Sequence, residues 1–439
     1  MPSPEQLIAH YLKTNNLIQT LRSFELELNQ KFDYSVDESL ETILKDRYEY
    51  LSLQSLDLKS TVRPEWTVDI PQTQSRLPLG NMGSLVIYSS SFSALVGGQE
   101  LEVAVFVTND REVHMFDLVA QKKLANRSDL HGSTPTKLAV GIDGTNVFLS
   151  CGMDGKMRVW KVSNESFELE LLAEEQIHQR LILDLKYHPI DKNTGYTISI
   201  GWDRKLTATI VDLRSGSITK LNSITLMTKG TCIHTSTDKS GYPLILVGRT
   251  DTSMVGVFTI ADMLFEIGRI ALNDSEFSSH SFQPMQIVTT YSGSAVVATN
   301  HVPYMRLITL EIPTIANLVG CGDVGVSERL KEMSLTATDT ESFQSDVTIK
   351  RNIIISNYNS MSPQDKFSEP IILARPQKLG VWVCGDDGVL RGFDLGTGVV
   401  AEELQTHESR IKSAFITSIG GKETVVTSGA LDRVIKEWK

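Results

Sequence analysis

The chain opens with helical spacing and later changes period. Ser3-Pro4-Glu5-Gln6 reads as a helix start: Ser3 can cap, Pro4 suits the first helical position, and Gln6 can complete a capping box. Leu7, Ile8, Tyr11 and Leu12 follow at helical intervals. After a break at Asn15-Asn16 a second set runs Leu17, Thr20, Leu21, Phe24 and Leu28. Helices this short cannot bury their apolar faces alone, so burial against a second copy is the expectation. A third helix is predicted from Ser35, where S-V-D-E is another capping box. Leu40, Ile43, Leu44, Tyr48 and Leu51 form its stripe, and it ends before Pro64.

From about residue 100 the pattern becomes short β-rich runs separated by turns, and it repeats. The unit is strand, tight turn with Asp, strand, then an aromatic residue. VAVFVTNDREVHMFDL, VFLSCGMDGKMRVWKV, GVWVCGDDGVLRGFDLGTG and ETVVTSGALDRVIKEWK are its clearest copies. Asp110, Asp154, Asp387 and Asp432 each stand six residues before Phe116, Trp160, Phe393 and Trp438. TISIGWDRKLTATIVDLRSG fits with two extra residues after Asp203. LILVGRTDTSMVGVFTI keeps Asp251 out of register by one, and AVVATNHVPYMRLITLEI has lost the Asp. Turn centres near 110, 154, 203, 251, 302, 387 and 432 are mostly 44–50 residues apart, as four-stranded propeller blades require. An upstream histidine recurs: His178 and His407 lie 25 residues before Asp203 and Asp432, His131 lies 23 before Asp154, and His280 is a fourth candidate.

Two resemblances follow from these residues. LIAHYLKTNNLIQTLRSFELE resembles a LisH motif at Leu7, Ile8, Tyr11, Leu12, Leu17, Thr20, Phe24 and Glu27. That likeness implies homodimerisation through Leu7, Ile8, Tyr11, Leu12, Leu17, Leu21 and Phe24. The repeats resemble WD40 repeats, in which such a histidine bonds toward the turn Asp within its blade. The implied fold is mainly β: a seven-bladed WD40-like β-propeller preceded by a small α-helical LisH module. The expected division is 1–34 for the LisH motif, 35–62 for a helix and linker, and 63–439 for the propeller. One step, 302 to 387, spans 85 residues. It is read as an insertion at about 314–370, with a helix at VSERLKEM and a Ser/Thr-acidic stretch, TATDTESFQSD, suited to phosphorylation. An eighth blade with VTIKRNIIISNY as its hairpin stays open. The final repeat stops after Trp438 without an outer strand. EWTVDIP, residues 65–71, is the candidate to supply it and close the ring.

Composition narrows the function. Hydrophobic residues are 41% and charged residues 22% of the 439, ordinary for a globular protein. The net charge of −11 argues against phosphate-backbone binding, so no direct nucleic-acid contact is expected. No apolar run approaches a membrane span, and MPSPEQLIAHYLKTNN lacks a secretory pattern. An intracellular protein, cytoplasmic or nuclear, is the expectation, and N-R-S at Asn126 and N-D-S at Asn273 read as chance glycosylation matches. Cys151, Cys232, Cys321 and Cys384 are scattered without a C-x-x-C pair, which argues against zinc or a disulfide scaffold. G-T-G-V-V-A at 396–401 precedes a strand rather than a helix, so it is a repeat turn and not a dinucleotide fingerprint. GGKET lacks the rest of a P-loop. Neither H-E-x-x-H nor G-x-S-x-G occurs, and Asp386-Asp387 falls in a repeat turn. No catalytic, metal or cofactor residue is nominated.

The turns between second and third strands gather on one face of a propeller. The register puts Arg111, Arg204, Arg249 and Arg433 on or beside them, with Trp202 before Asp203 and with Arg180 and Arg410 after the histidines. Arg and Trp are the residues most enriched in interface hot spots. In an acidic chain they suggest an acidic or phosphorylated protein partner. V-D-L-R at 211–214 is a weak likeness to the W-D-x-R box of cullin-type ubiquitin-ligase receptors. The expected function is a non-enzymatic homodimeric scaffold that assembles a multiprotein complex. A ubiquitin-ligase subunit or receptor is an alternative. A dynein or microtubule regulator is another, since the order of modules resembles lissencephaly-type dynein regulators.

Overall fold

The computed structural model describes residues 3–32, 40–41, 44, 70–71, 73–78, 83–128, 130–163, 167–273, 282–322, 325–336, 347–376 and 378–439. The chain forms a helical N-terminal unit and a propeller unit. In the first, α1 (Pro4–Thr14) and α2 (Ile18–Glu27) make a hairpin. Ser3 Oγ accepts the Gln6 N–H at 3.3 Å and the Ser3 N–H donates to Gln6 Oε1 at 2.9 Å, the expected capping box. Ala9, Leu12, Leu21 and Phe32 make a small core, with Ile8, Tyr11 and Phe24 packed against it. Of the seven residues assigned to dimerisation, Leu12 and Leu21 are therefore used inside the hairpin. The two helices bury part of their apolar faces on each other and on Phe32, which corrects the expectation that they cannot. Leu17, Ile18, Leu26 and Leu28 remain exposed. The predicted third helix from Ser35 lies mostly outside the described residues.

Period-two alternation folds the rest into seven antiparallel sheets, the blades of a ring. Their innermost strands are, for blades 1 to 7, Val86–Val96, Thr136–Gly141, Ile182–Pro189, Gly230–Thr237, Pro284–Thr289, Ile371–Ala374 and Ile411–Ile419. Neighbouring innermost strands touch all the way round. Second strands such as Val147–Gly152 and Pro243–Arg249 are buried at every position, packed between sheets, and read as continuous apolar runs. Outermost strands such as Lys122–Arg127 have little burial.

Blade 4 breaks that rule. Its outer strand, Leu264–Ala271, is buried almost throughout. The described parts of residues 311–353, which stand between the third and fourth strands of blade 5, cover it. They carry α3 (Ile315–Val319), α4 (Val326–Thr336) and a short strand, Ile349–Lys350, that pairs in parallel with Arg269 and Ile270. Ile315, Leu318, Val326 and Leu330 share a core with Phe265, Ile267 and Ile270. A Cβ on Gly268 would lie 2.8 Å from Leu318, so this contact depends on glycine. The interruption is thus 311–353 rather than about 314–370. Ile354–Pro363 is the outer strand of blade 5, not part of an eighth blade. The Ser/Thr-acidic stretch falls largely outside the described residues.

Ring closure is achieved by Gln74–Arg76, paired antiparallel with Lys436–Trp438. Thr73 and Lys439 exchange two backbone hydrogen bonds of 3.0 Å beyond it. The candidate EWTVDIP is therefore displaced: Glu65 to Asp69 lie outside the described residues, and Ile70 and Pro71 are not in a strand. Glu437, almost fully buried, accepts from Ser75 of the closing strand and Gln121 of blade 1. Leu77 enters a core with Phe106, Phe116, Phe415 and Ile435.

Blades 6 and 7 are joined by a buried ion pair. Arg375 Nε lies 3.0 Å from Glu423, and the same carboxylate accepts the indole N–H of Trp382 at 2.5 Å. All three side chains are buried. Removing one partner leaves an uncompensated buried charge, a loss of roughly 3–5 kcal/mol. Glu423→Ala should lower the denaturant midpoint accordingly, measured by chemical unfolding. Glu423→Gln, which can still accept from Trp382, should lose less.

Candidate functional site

Four of the propeller turns are built from their Asp in the same way. Asp154, Asp203, Asp387 and Asp432 accept the backbone N–H two residues on, at 3.0–3.2 Å. In three blades a histidine closes the turn: Nδ1 lies 3.2 Å from Asp154 for His131, 3.0 Å from Asp203 for His178 and 2.8 Å from Asp432 for His407. A carboxylate only accepts, so Nδ1 carries a proton toward the Asp. Nε2 pairs with the hydroxyls of Ser150, Ser199 and Thr427 at 2.8–3.0 Å. In blade 2 the chain extends to Trp160, whose indole N–H donates to Ser150 at 2.9 Å. The reading of the sequence found the histidines and missed these hydroxyls. Their signal is a Ser or Thr in the second strand, four or five residues before the Asp. The pair also dictates glycine at Gly152, Gly201 and Gly429. A Cβ there would fall within 2.8 Å of both the imidazole and the carboxylate. His280 lies outside the described residues.

Burial alone would raise the Asp203 pKa. Hydrogen bonds from His178 and from the Gln179 and Lys205 N–H groups outweigh it and hold the carboxyl at about 2. Cys151, Cys232 and Cys384 are buried, and burial pushes their thiols up, Cys232 to about 12. Cys151 and Cys384 pack in apolar cores.

The turn arginines have two roles. Arg111, Arg204 and Arg433 adopt φ of 77°, 63° and 54°, the left-handed region that Gly155 and Gly388 occupy in blades 2 and 6. A non-glycine residue there costs on the order of 1 kcal/mol. Each guanidinium reaches a carbonyl in the loop leading into the next blade: Ser133 at 3.3 Å, Met227 at 3.5 Å, and Gly83. Arg249 stands beside its turn, as the register puts it, but is buried rather than presented on the face. It ends a second strand and is only 7% exposed, because Asp251 takes the left-handed position in blade 4 (φ 58°). Arg410 is on the turn face but is held by Asp386 at 2.7 Å and Asp365 at 3.2 Å.

Three of the nominated residues do come together. Arg180, Trp202 and Arg204, with Gln179, Asp203 and Lys229, line a cleft of about 420 Å³. Trp202 is 48% exposed, and Lys229 Nζ lies 4.1 Å from its ring centroid. Arg111 and Arg433 stand at turns of other blades. Lys229 was not found from the sequence, because it belongs to the loop that leads into blade 4 rather than to the repeat turn.

The chain matches, over residues 56–439, the model of the family described as UCP007778, beta-propeller domain, and belongs to that family. It is similar to the Uncharacterized protein YGR117C of Saccharomyces cerevisiae, with 23% identity over 448 residues, 89% of this chain and 87% of that protein.

The buried imidazoles make stability pH-dependent. Burial lowers the pKa of His114, His131, His188 and His407, and takes His234 and His301 down to about 4. Unfolded histidine titrates near ~6.5, so the unfolded chain binds more protons below that pH. This stabilisation is complete above pH ~6.5 and is lost as pH falls toward about 4. Asp203 stays ionised across that window. The thermal midpoint should therefore fall between pH 7 and 4.5. His301→Gln should show a shallower fall, whatever its midpoint at pH 7.

Proposed function

We propose that this protein is a non-enzymatic scaffold of the WD40 type that docks a protein partner on its turn face and self-associates through its N-terminal hairpin. The β-propeller fold itself suits protein–protein interaction. The observation that carries the finer reading is the cleft around Trp202. A half-exposed indole flanked by Arg180, Arg204 and Lys229 has the composition of a binding hot spot. Other apolar side chains on turns of the same face are exposed as well, including Met153, Val302 and Leu431. The partner is expected to be acidic, because the cleft is cationic on a chain of net charge −11. Among the described residues no helix is long and apolar enough to cross a membrane, and an intracellular location is part of this proposal.

Self-association rests on the LisH-like hairpin and its exposed Leu17, Ile18, Leu26 and Leu28. Two joined copies would present paired faces and gain avidity toward repeated partners.

Two measurements test this. Purification of the intact protein with its partners should recover fewer partners with Arg180→Glu/Arg204→Glu, by ~10-fold or more in apparent affinity. Unchanged capture by the folded double variant removes the cleft from consideration. Light scattering should give twice the chain mass of 48.7 kDa. Leu17→Glu/Ile18→Glu, which alters only exposed positions, should give the single-chain mass. A monomeric parent ends the dimer proposal.

A further inference from the structure

Resting on the docking reading above, we infer that the Trp202 cleft receives a phosphate monoester carried on an extended peptide, a phosphorylated serine or threonine segment.

The charge accounting of the cleft singles it out. Several arginines of this face and its turns are compensated by acids, Arg410 by Asp365 and Asp386, Arg158 by Asp154 and Glu174, Arg391 by Asp387 and Glu403, while Arg111 and Arg433 each stand singly and reach a loop carbonyl. Among the described residues the cleft cations have no such acid partner. Arg204 reaches only the Met227 carbonyl at 3.5 Å, Lys229 only the Trp202 ring, and Arg180 neither an acceptor nor an acid. The carboxylate in the lining, Asp203, is already committed. One oxygen takes His178 and the Lys205 N–H, and the other takes the Gln179 N–H. Three cations against one carboxylate leave two positive charges unneutralised.

A phosphate monoester carries about −1.5 to −2 at neutral pH and offers three acceptor oxygens, whereas a carboxylate carries one charge. Two guanidiniums and an ammonium match the former in charge and in donor number. The cleft volume of about 420 Å³ exceeds what a phosphate group fills, and the half-exposed indole gives a neighbouring side chain an apolar surface. A peptide rather than an anionic membrane is the source favoured. The chain's net charge of −11 opposes a broad anionic surface but not a single phosphate delivered into a local cationic cleft.

The test uses the full chain and an array of phosphoserine and phosphothreonine peptides with degenerate flanks, each beside its unphosphorylated twin. Vesicles containing phosphatidylinositol phosphates are measured in parallel. The expected result is at least ~10-fold greater retention of the phosphorylated set. Arg180→Glu/Lys229→Glu should abolish that preference with an unchanged melting curve, and Trp202→Ala should weaken retention while keeping the preference. Equal retention of both sets, lost in the charge-reversed variant, overturns the phosphate and leaves the docking face standing. Phosphopeptide retention that survives charge reversal overturns the site itself. Retention of neither set, or binding to vesicles alone, overturns the inference.

Discussion

Closure of the ring is the constraint on which the rest depends. Without a strand from the start of the chain the last blade has three strands, with the outer edge of Ile435–Trp438 unpaired and no strand pairing to tie the two ends of the ring. The join is Gln74–Arg76 against Lys436–Trp438, only three residue pairs, extended by the Thr73–Lys439 backbone bonds. So short a ladder would fray by itself. It is reinforced by side chains on both flanks. Glu437 binds Ser75 on one side and Gln121 of blade 1 on the other, and Leu77 packs into a core shared by blades 1 and 7. The Arg375–Glu423–Trp382 cluster ties that composite blade to blade 6. Buried polar groups, each bonded, thus hold the seam where backbone pairing is thinnest.

The turn face inherits its shape from the same economy. In blades 2, 3 and 7 an imidazole wedged between the turn Asp and a second-strand hydroxyl fixes where the turn sits relative to its own blade. Blade-to-blade placement is fixed differently. In blades 2 and 6 a glycine lets the turn backbone meet the following blade: the Gly155 and Gly388 carbonyls accept from the His178 and His407 N–H groups. A Cβ on either would come 2.2 Å from that histidine's carbonyl oxygen. In blades 1, 3 and 7 an arginine spans the gap with its side chain instead.

The residues that were legible in the sequence are those that carry their own local geometry. The turn Asp residues, the histidines 23–25 residues upstream and the capping box at Ser3 each act through a bond to a nearby backbone or a fixed partner. What was misread lacks such a signature. Gln74–Arg76 is polar and exposed at every position, and its pairing is set by backbone groups. The more apolar EWTVDIP drew the assignment instead. Ile354–Pro363 hides its strand character because Ser360 and Ser362 are buried and bonded to the Met305 and Cys384 carbonyls, so polar residues occupy core positions. Arg249 stands beside its turn but is buried, which the repeat spacing does not report. Lys229 was invisible because it reaches Trp202 from the neighbouring blade.

The arginine device has a consequence that the glycine device lacks. A glycine turn ends in backbone contact and presents nothing outward. An arginine turn brings a cation to the face together with the contact. Where the neighbourhood supplies acids, such a cation is absorbed, as Arg410 is by Asp365 and Asp386. Between blades 3 and 4 it is not. Asp203, the acid that lines the cleft there, is already bound by His178 and backbone N–H groups, and Arg180 and Lys229 add to the excess. A chain with an overall surplus of eleven negative charges therefore carries its concentrated positive charge beside its exposed tryptophan. The same turn-level choice that helps hold neighbouring blades together thereby gives one sector of the ring a chemistry distinct from the rest.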